Sequence, residues 1–391
     1  VNPIWTVFRK EVRESLRDRR ALLNTLLLGP LLGPILFLVM IRVIVSEELR
    51  TAERPLPVAV AHAERAPNLI AALQAAGAQI SVSPADPAQA VRNEEVDLAL
   101  DIPANYAEEW QAGRPATVYA FYDSSRKEVG TRIARLKRML DGYGRQTGAM
   151  RLMVRGVAPL VASPLLVADR DQATPSSKGA MLFAMLPYML ILTTFIGGMF
   201  LAIDATAGER ERQSLEPLFA TPVRRESILA GKVLATSAFS GTSVAMSLLA
   251  FLLVGRLLPT ADLGMAIDLG PRFLGLVVPV TIPLVLFVSA LQTFVAAFAK
   301  TFREAQTQLG LLQIVPVVPV LLVTILPFKT ATWMYAIPLV GQQLVITRAL
   351  RGDNIGLLAE LLVVLSTLAV AALAYRAARR AYQSERLGLP S

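Results

Sequence analysis

Cysteine is absent from this 391-residue chain, and histidine occurs once, at His62. Without thiols there is no disulfide framework and no thiolate metal site, and one imidazole cannot build a zinc centre. His62 has no serine–acid or cysteine arrangement near it, so it reads as a structural residue. A phosphate-cradling G-x-x-x-x-G-K-[ST] loop is missing too: the one Gly-Lys, Gly231-Lys232, runs into Val233 and has no upstream glycine in register. No catalytic residue, cofactor or metal is therefore assigned to the chain. Charge is sparse as well, at 18%, against 54% hydrophobic residues and a mean hydropathy of +0.50. That balance excludes an ordinary soluble domain and points to a membrane protein. Internal repeats and low-complexity tracts are also lacking.

What is present is a set of long apolar runs. Six approach or reach the roughly 20 residues a helix needs to cross the hydrocarbon. They predict transmembrane helices over residues 21–46, 179–203, 233–255, 273–299, 306–345 (with a re-entrant hairpin) and 355–375, the last weakened by Glu360. The first is not a cleavable leader, because it is long and lacks a small-residue cleavage site. Pro30 and Pro34 in the first run, and Pro316 and Pro319 in the fifth, are expected to break or kink those helices.

The net charge of +9 is placed unevenly. With the N-terminus inside, seventeen Lys or Arg (among them Arg9, Lys10, Arg13, Arg17, Lys232 and Lys300) fall in inner segments, and five (Arg256, Arg272, Lys329, Arg348, Arg351) in outer loops. This positive-inside bias predicts both termini in the cytoplasm. The cations hug span ends and form no single face, which argues against nucleic acid as a partner.

Residues 1–20 predict an amphipathic helix. Trp5, Phe8, Val12 and Leu16 recur at helical spacing, and the cations between them suit lipid phosphates. Residues 47–178 form a polar insert whose charges balance, sixteen of each sign. Its alternating strand and helix signals predict an α/β-type extracytoplasmic domain. Strands are expected at 57–61, 79–83, 96–102 and 116–122, with a long helix from 128 to about 157. The fold class is thus an α-helical polytopic membrane protein of six spans with an α/β insert, closed by a tail at 376–391.

Between the second and third runs lies a dense charged block, GERERQSLEPLFATPV, at residues 208–223 of a segment covering 204–232. Acids and bases come first, then an amphipathic turn closed by Thr221-Pro222. The block resembles the cytoplasmic coupling segment of type-2 ATP-binding-cassette (ABC) permeases, most of all their sodium-efflux, NatB-like branch. VDLALDIPANYAEEWQAGRPATVYAFYDSS, at 96–125, resembles the extracellular domain of the same family. The resemblance implies an exporter subunit of the bacterial inner membrane, a homodimer of permeases and two copies of a separate ATP-binding subunit that holds ATP and Mg. It also implies an elbow helix at the N-terminus, a re-entrant hairpin near 328–343 and sodium as cargo.

Glu209, Arg210, Glu211, Arg212 and Glu216 are helix-compatible, with i, i+3 and i+4 pairs available. Leu215, Leu218 and Phe219 would then form an apolar patch rimmed by charge, the pattern of a docking surface. Within the spans, Thr193, Thr194, Ser289, Gln292, Thr293 and Gln313 are polar and uncharged. They are expected first as interhelical hydrogen-bonding groups, and second, with Asp204 at the inner mouth, as a substrate pathway. Two alternatives stay open: an exporter of drug, peptide or lipid, and a membrane-anchored sensor or ligand-binding protein.

Overall fold

The computed structural model describes residues 2–18, 22–53, 55–84, 86–162, 172–258, 265–319 and 330–383, with residues 165, 168, 170 and 323. The chain divides into two compact units, one of residues 1–44 and 172–391, the other of residues 45–171.

The first unit opens with the helix Pro3–Arg17. Asn2 caps it, its side chain accepting from Ile4 N at 3.1 Å, and Pro3 takes the first turn, where no N–H is needed. Four helices among the described residues are long and apolar enough to cross a membrane: Leu186–Glu211, Arg225–Leu257, Pro271–Ala296 and Leu357–Gln383. They fall at the second, third, fourth and sixth runs.

The first and fifth runs differ from expectation. Pro34 sits inside the helix Gly29–Glu53 without ending it, and the irregular winding lies before it, in the π-helical turn Leu23–Leu28. Its apolar part, Gly29–Val43, is shorter than the other four. In the fifth run the helix Phe302–Leu312 stops before Pro316, in a series of turns. Residues 324–329, with Pro327, Phe328 and Lys329 of the expected hairpin, lie outside the described residues, as do Arg386 and the end of the tail. A further helix, Val340–Arg351, begins inside the segment expected to hold the hairpin and continues where an outer loop was expected. Its Gln342 explains why: the amide donates to Thr367 Oγ1 at 2.8 Å and accepts from Leu339 N at 2.7 Å, so a polar residue sits fully buried.

In the second unit a four-stranded sheet has the order β2-β1-β3-β4, with β1 (Leu56–Ala61), β2 (Ala78–Val82), β3 (Leu98–Asp101) and β4 (Tyr119–Tyr122). β1 pairs parallel to β2 and β3, and β4 closes the edge antiparallel to β3. The helix Lys127–Val154 lays Val129, Ile133 and Leu136 into a core with Val58, Leu98 and Leu100. His62 ends β1 in a left-handed conformation and meets Asp101 at 2.9 Å across the sheet end.

Candidate functional site: the charged segment and the helix seam

The charged segment continues the helix Leu186–Ile203. One π-helical turn, Asp204–Gly208, widens the helix, and Glu209–Glu211 completes it. The chain then turns at Gln213, whose φ of 55° lies in the left-handed region, and a second short helix covers Leu215–Phe219. The expected continuous helix with i, i+4 ion pairs is therefore replaced by two short pieces. The reason is visible in the partners. Arg212 reaches back to Asp204 at 2.8 Å. Glu211 accepts from Phe302 N at 2.6 Å, capping the helix Phe302–Leu312. Glu209 turns inward. Each forms a contact outside the piece that carries it.

Glu209 belongs to a buried charge cluster. Lys232, on the helix Arg225–Leu257, is fully buried, Glu11 is 2% exposed and Glu209 4%. The Lys232 ammonium donates to Glu209 Oε2 at 2.6 Å, to Glu11 Oε1 at 3.1 Å and to the Ala205 carbonyl at 2.6 Å. An ammonium has three N–H donors, and all three are used. Lys10 closes the cluster from its solvent side, bonding Glu209 Oε1 and, at 3.2 Å, Glu11 Oε1. Two cations and two anions leave it neutral. Burial works against the charge of Lys10, but Glu11 and Glu209 outweigh it and hold its pKa above the ordinary lysine range.

The N-terminal helix reaches this point because of Gly231. A Cβ there would come within 2.7 Å of Val7 Cβ and 2.9 Å of Ile4 O, so only glycine admits the crossing helix. Val7, Glu11 and Ser15, four residues apart, form its buried face, while Arg9, Arg13 and Trp5 stay exposed. Counting charges placed Lys232 in an inner belt and left Glu11 unnoticed. The signal available was a lysine eight residues into an apolar helix, which demands a counter-ion from somewhere.

Of the residues expected to dock a partner, Glu209 and Leu215 face inward, Leu215 being 5% exposed. Arg210 and Leu218 are half-buried, and Glu211, Arg212, Thr221 and Pro222 are exposed. The side chains of Glu216 and Phe219 lie outside the described residues.

Further along the same helix pair is a seam of small and hydroxylated residues. A Cβ on Gly197 would meet Ser243 Cβ at 2.6 Å, and one on Gly198 would meet Thr236 Cγ2 at 2.9 Å. Ser240 donates to Thr194 O at 2.8 Å and Ser243 to Thr25 O at 2.9 Å. Close backbones bridged by hydroxyls are how helices pack in lipid. Thr193, Thr194 and Thr293, expected to bond between helices, instead spend their hydroxyls on carbonyls one turn back in their own helices. Gln292 does cross, donating to Phe195 O, and Gln313 donates to Met199 Sδ at 3.0 Å. These two glutamines thus reach one face of Leu186–Ile203, a turn apart. Among the described residues, Gln292 Oε1 and Ser289 Oγ are buried without a hydrogen-bond partner. Asp204 stands apart, paired with Arg212.

Several apolar helices of spanning length, joined by a charged segment and packed through glycine and hydroxyl contacts, define a multi-pass membrane protein. The family description "ABC-2 family transporter protein" matches residues 5–377, and the chain belongs to that family. It is 28% identical over 319 residues to a protein named "ABC transporter permease protein NatB" from Bacillus subtilis (strain 168), covering 80% of each chain. No solved structure matches it. The chain is therefore the permease subunit of an ABC transporter, which implies an ATP-binding partner subunit.

Proposed function

We propose that this permease exports sodium from the cytoplasm, driven by two ATP-binding subunits seated on the exposed face of the segment at 210–222, with a second copy of the chain completing the pathway. The observation that carries the coupling is the buried cluster of Glu209, Lys232 and Glu11. A push on the segment enters two span helices and the N-terminal helix through three ionic contacts and one carbonyl, with little slack between them. The similarity to NatB supports sodium as cargo. So does the chemistry beside the seam: a hard cation takes oxygen ligands, and Gln292 Oε1 and Ser289 Oγ are buried oxygens without a hydrogen-bond partner among the described residues. Gln313, on the same face, extends the path. The positive-inside bias supports cytoplasmic termini and an outer position for residues 47–178 in a bacterial inner membrane.

ATP-driven sodium flux in vesicles carrying both subunits tests the cargo. Gln292→Leu is expected to abolish most of the flux while the ATP-binding subunit still co-purifies. Tolerance of Gln292→Leu, with ATPase stimulated by amphiphiles and not by sodium, would assign a drug, peptide or lipid cargo instead. Orientation is read from cysteine labelling, since the native chain has no thiol. An impermeant reagent should modify Ser125→Cys on intact cells and spare Ser214→Cys.

A further inference from the structure

An apolar groove of about 510 Å³ runs along the outer side of the helices Arg225–Leu257 and Pro271–Ala296 and ends at Trp5 and Phe8 of the N-terminal helix. Its rim is exposed, with Leu234 at 44% and Ile282 at 57%, and its floor holds the buried Val244 and Leu248. The wall contains two hydroxyls, and neither is free. Ser237 donates to Val233 O at 2.8 Å and Thr281 to Val277 O at 2.6 Å, each within its own helix. The groove therefore offers an occupant mainly hydrocarbon contact. Gly241 opens its centre, with nothing within 4 Å of the place its Cβ would take.

We infer that this groove holds an acyl chain of an anionic phospholipid, with the headgroup at Arg9 and Arg13. Length is the first argument. From Leu234 to Leu248 the helix rises about 20 Å at 1.5 Å per residue, enough for the chain of one leaflet in a core roughly 30 Å thick. The polar end is the second. Trp5 stacks on Phe8 with ring centroids 4.8 Å apart, and an exposed tryptophan at the end of a span marks the headgroup level. The third is charge. Arg9 and Arg13 follow Trp5 at four-residue steps and are exposed. Glu14, the acid of the same stretch that points outward, is paired with Lys10 at 3.5 Å. A second copy of this chain packed on the groove would bring its own arginine row to the same end, like against like, whereas an anionic headgroup complements it.

The test is quenching of Trp5 fluorescence in the full chain, reconstituted in phosphatidylcholine vesicles containing a minor share of acyl-brominated phosphatidylglycerol or acyl-brominated phosphatidylcholine. The Trp5→Phe variant supplies the background from the other two tryptophans. Brominated phosphatidylglycerol should quench at lower mole fraction, by about five-fold for each arginine engaged. Arg9→Gln with Arg13→Gln should bring the two lipids to parity. Gly241→Phe should fill the groove and reduce quenching by both, and Ala245→Leu on the same wall does so if the larger ring prevents folding. Equal quenching by both lipids in the native chain would overturn the proposal. So would unchanged quenching in a folded, groove-filled variant. A dimer that dissociates on Gly241→Phe while the lipid preference persists would mark the groove as a contact between copies and overturn it too.

Discussion

The helices Leu186–Glu211 and Arg225–Leu257 meet twice, and they meet in two chemical languages. At one end Lys232 and Glu209 join through full charges that a third helix helps to bury. Further along the pair, Gly197 and Gly198 press against Thr236, Ser240 and Ser243 with no charge at all. Both contacts are buried, so burial is not the difference. The difference is what each must satisfy. An ammonium in a protein interior needs every donor matched by an acceptor and its charge neutralised, which costs the chain two carboxylates and a freed carbonyl. A hydroxyl needs one acceptor, and a helix supplies that from its own backbone. The charged contact is therefore brittle and the seam forgiving.

Removing one partner of the charged contact should have the largest effect. Lys232→Met leaves Glu11 and Glu209 buried with Lys10 as their one remaining cation in the cluster, at a cost of about 3–5 kcal/mol. Denaturant unfolding in detergent would show it. Adding Glu11→Gln and Glu209→Gln to the same chain should recover much of the loss, because the remaining charge, Lys10, is 43% exposed and can turn to water. In the seam, Gly198→Leu should cost about 1–3 kcal/mol by overpacking, since Thr236 Cγ2 and the Thr236 carbonyl block the new side chain. Gly241→Leu, on the open side of the same helix, should be neutral or stabilising. Ser243→Ala should cost less than Gly198→Leu, about 1–2 kcal/mol, by leaving the Thr25 carbonyl without its donor.

The smallest effect is alkaline. The folded pKa of Lys10 lies above its unfolded value, so its contribution is complete below the ordinary lysine range and is lost as pH rises through the raised value. Unfolding midpoints should not change on this account between neutral and mildly basic pH, and should fall only beyond the usual lysine pKa. In the insert, burial pushes Tyr106 up to about 12, with Tyr143 adding to it and Arg151 opposing. A spectrophotometric titration should lose one tyrosine's signal near that pH in the Tyr106→Phe variant.

The same contrast explains what the amino-acid sequence discloses. Four apolar helices are legible because hydrophobic runs of spanning length have few other uses, and the segment at 208–223 is legible because its charges interrupt two such runs. Val129, Ile133 and Leu136 announce the buried face of a helix by their spacing alone. The cluster is not legible in this way. Glu11 and Lys232 lie 221 residues apart, and a count of charges gives their sign but no partner. In the fifth run hydropathy continues past Leu312, and it is Pro316 that signals the break: the helix Phe302–Leu312 stops four residues before it. The helix Val340–Arg351 runs on beyond the expected hairpin, held by Gln342 against Thr367, a contact that hydropathy does not register.

Coupling through the buried cluster is open to a single comparison of flux. ATP-driven sodium flux is compared in vesicles carrying the permease and its ATP-binding subunit, with native chain or Lys232→Met, and retention of the ATP-binding subunit is read on the same vesicles. The account predicts that Lys232→Met keeps the subunit, because Lys232 is buried and away from the docking face, and loses nearly all flux. Native flux in Lys232→Met with the subunit retained would contradict it.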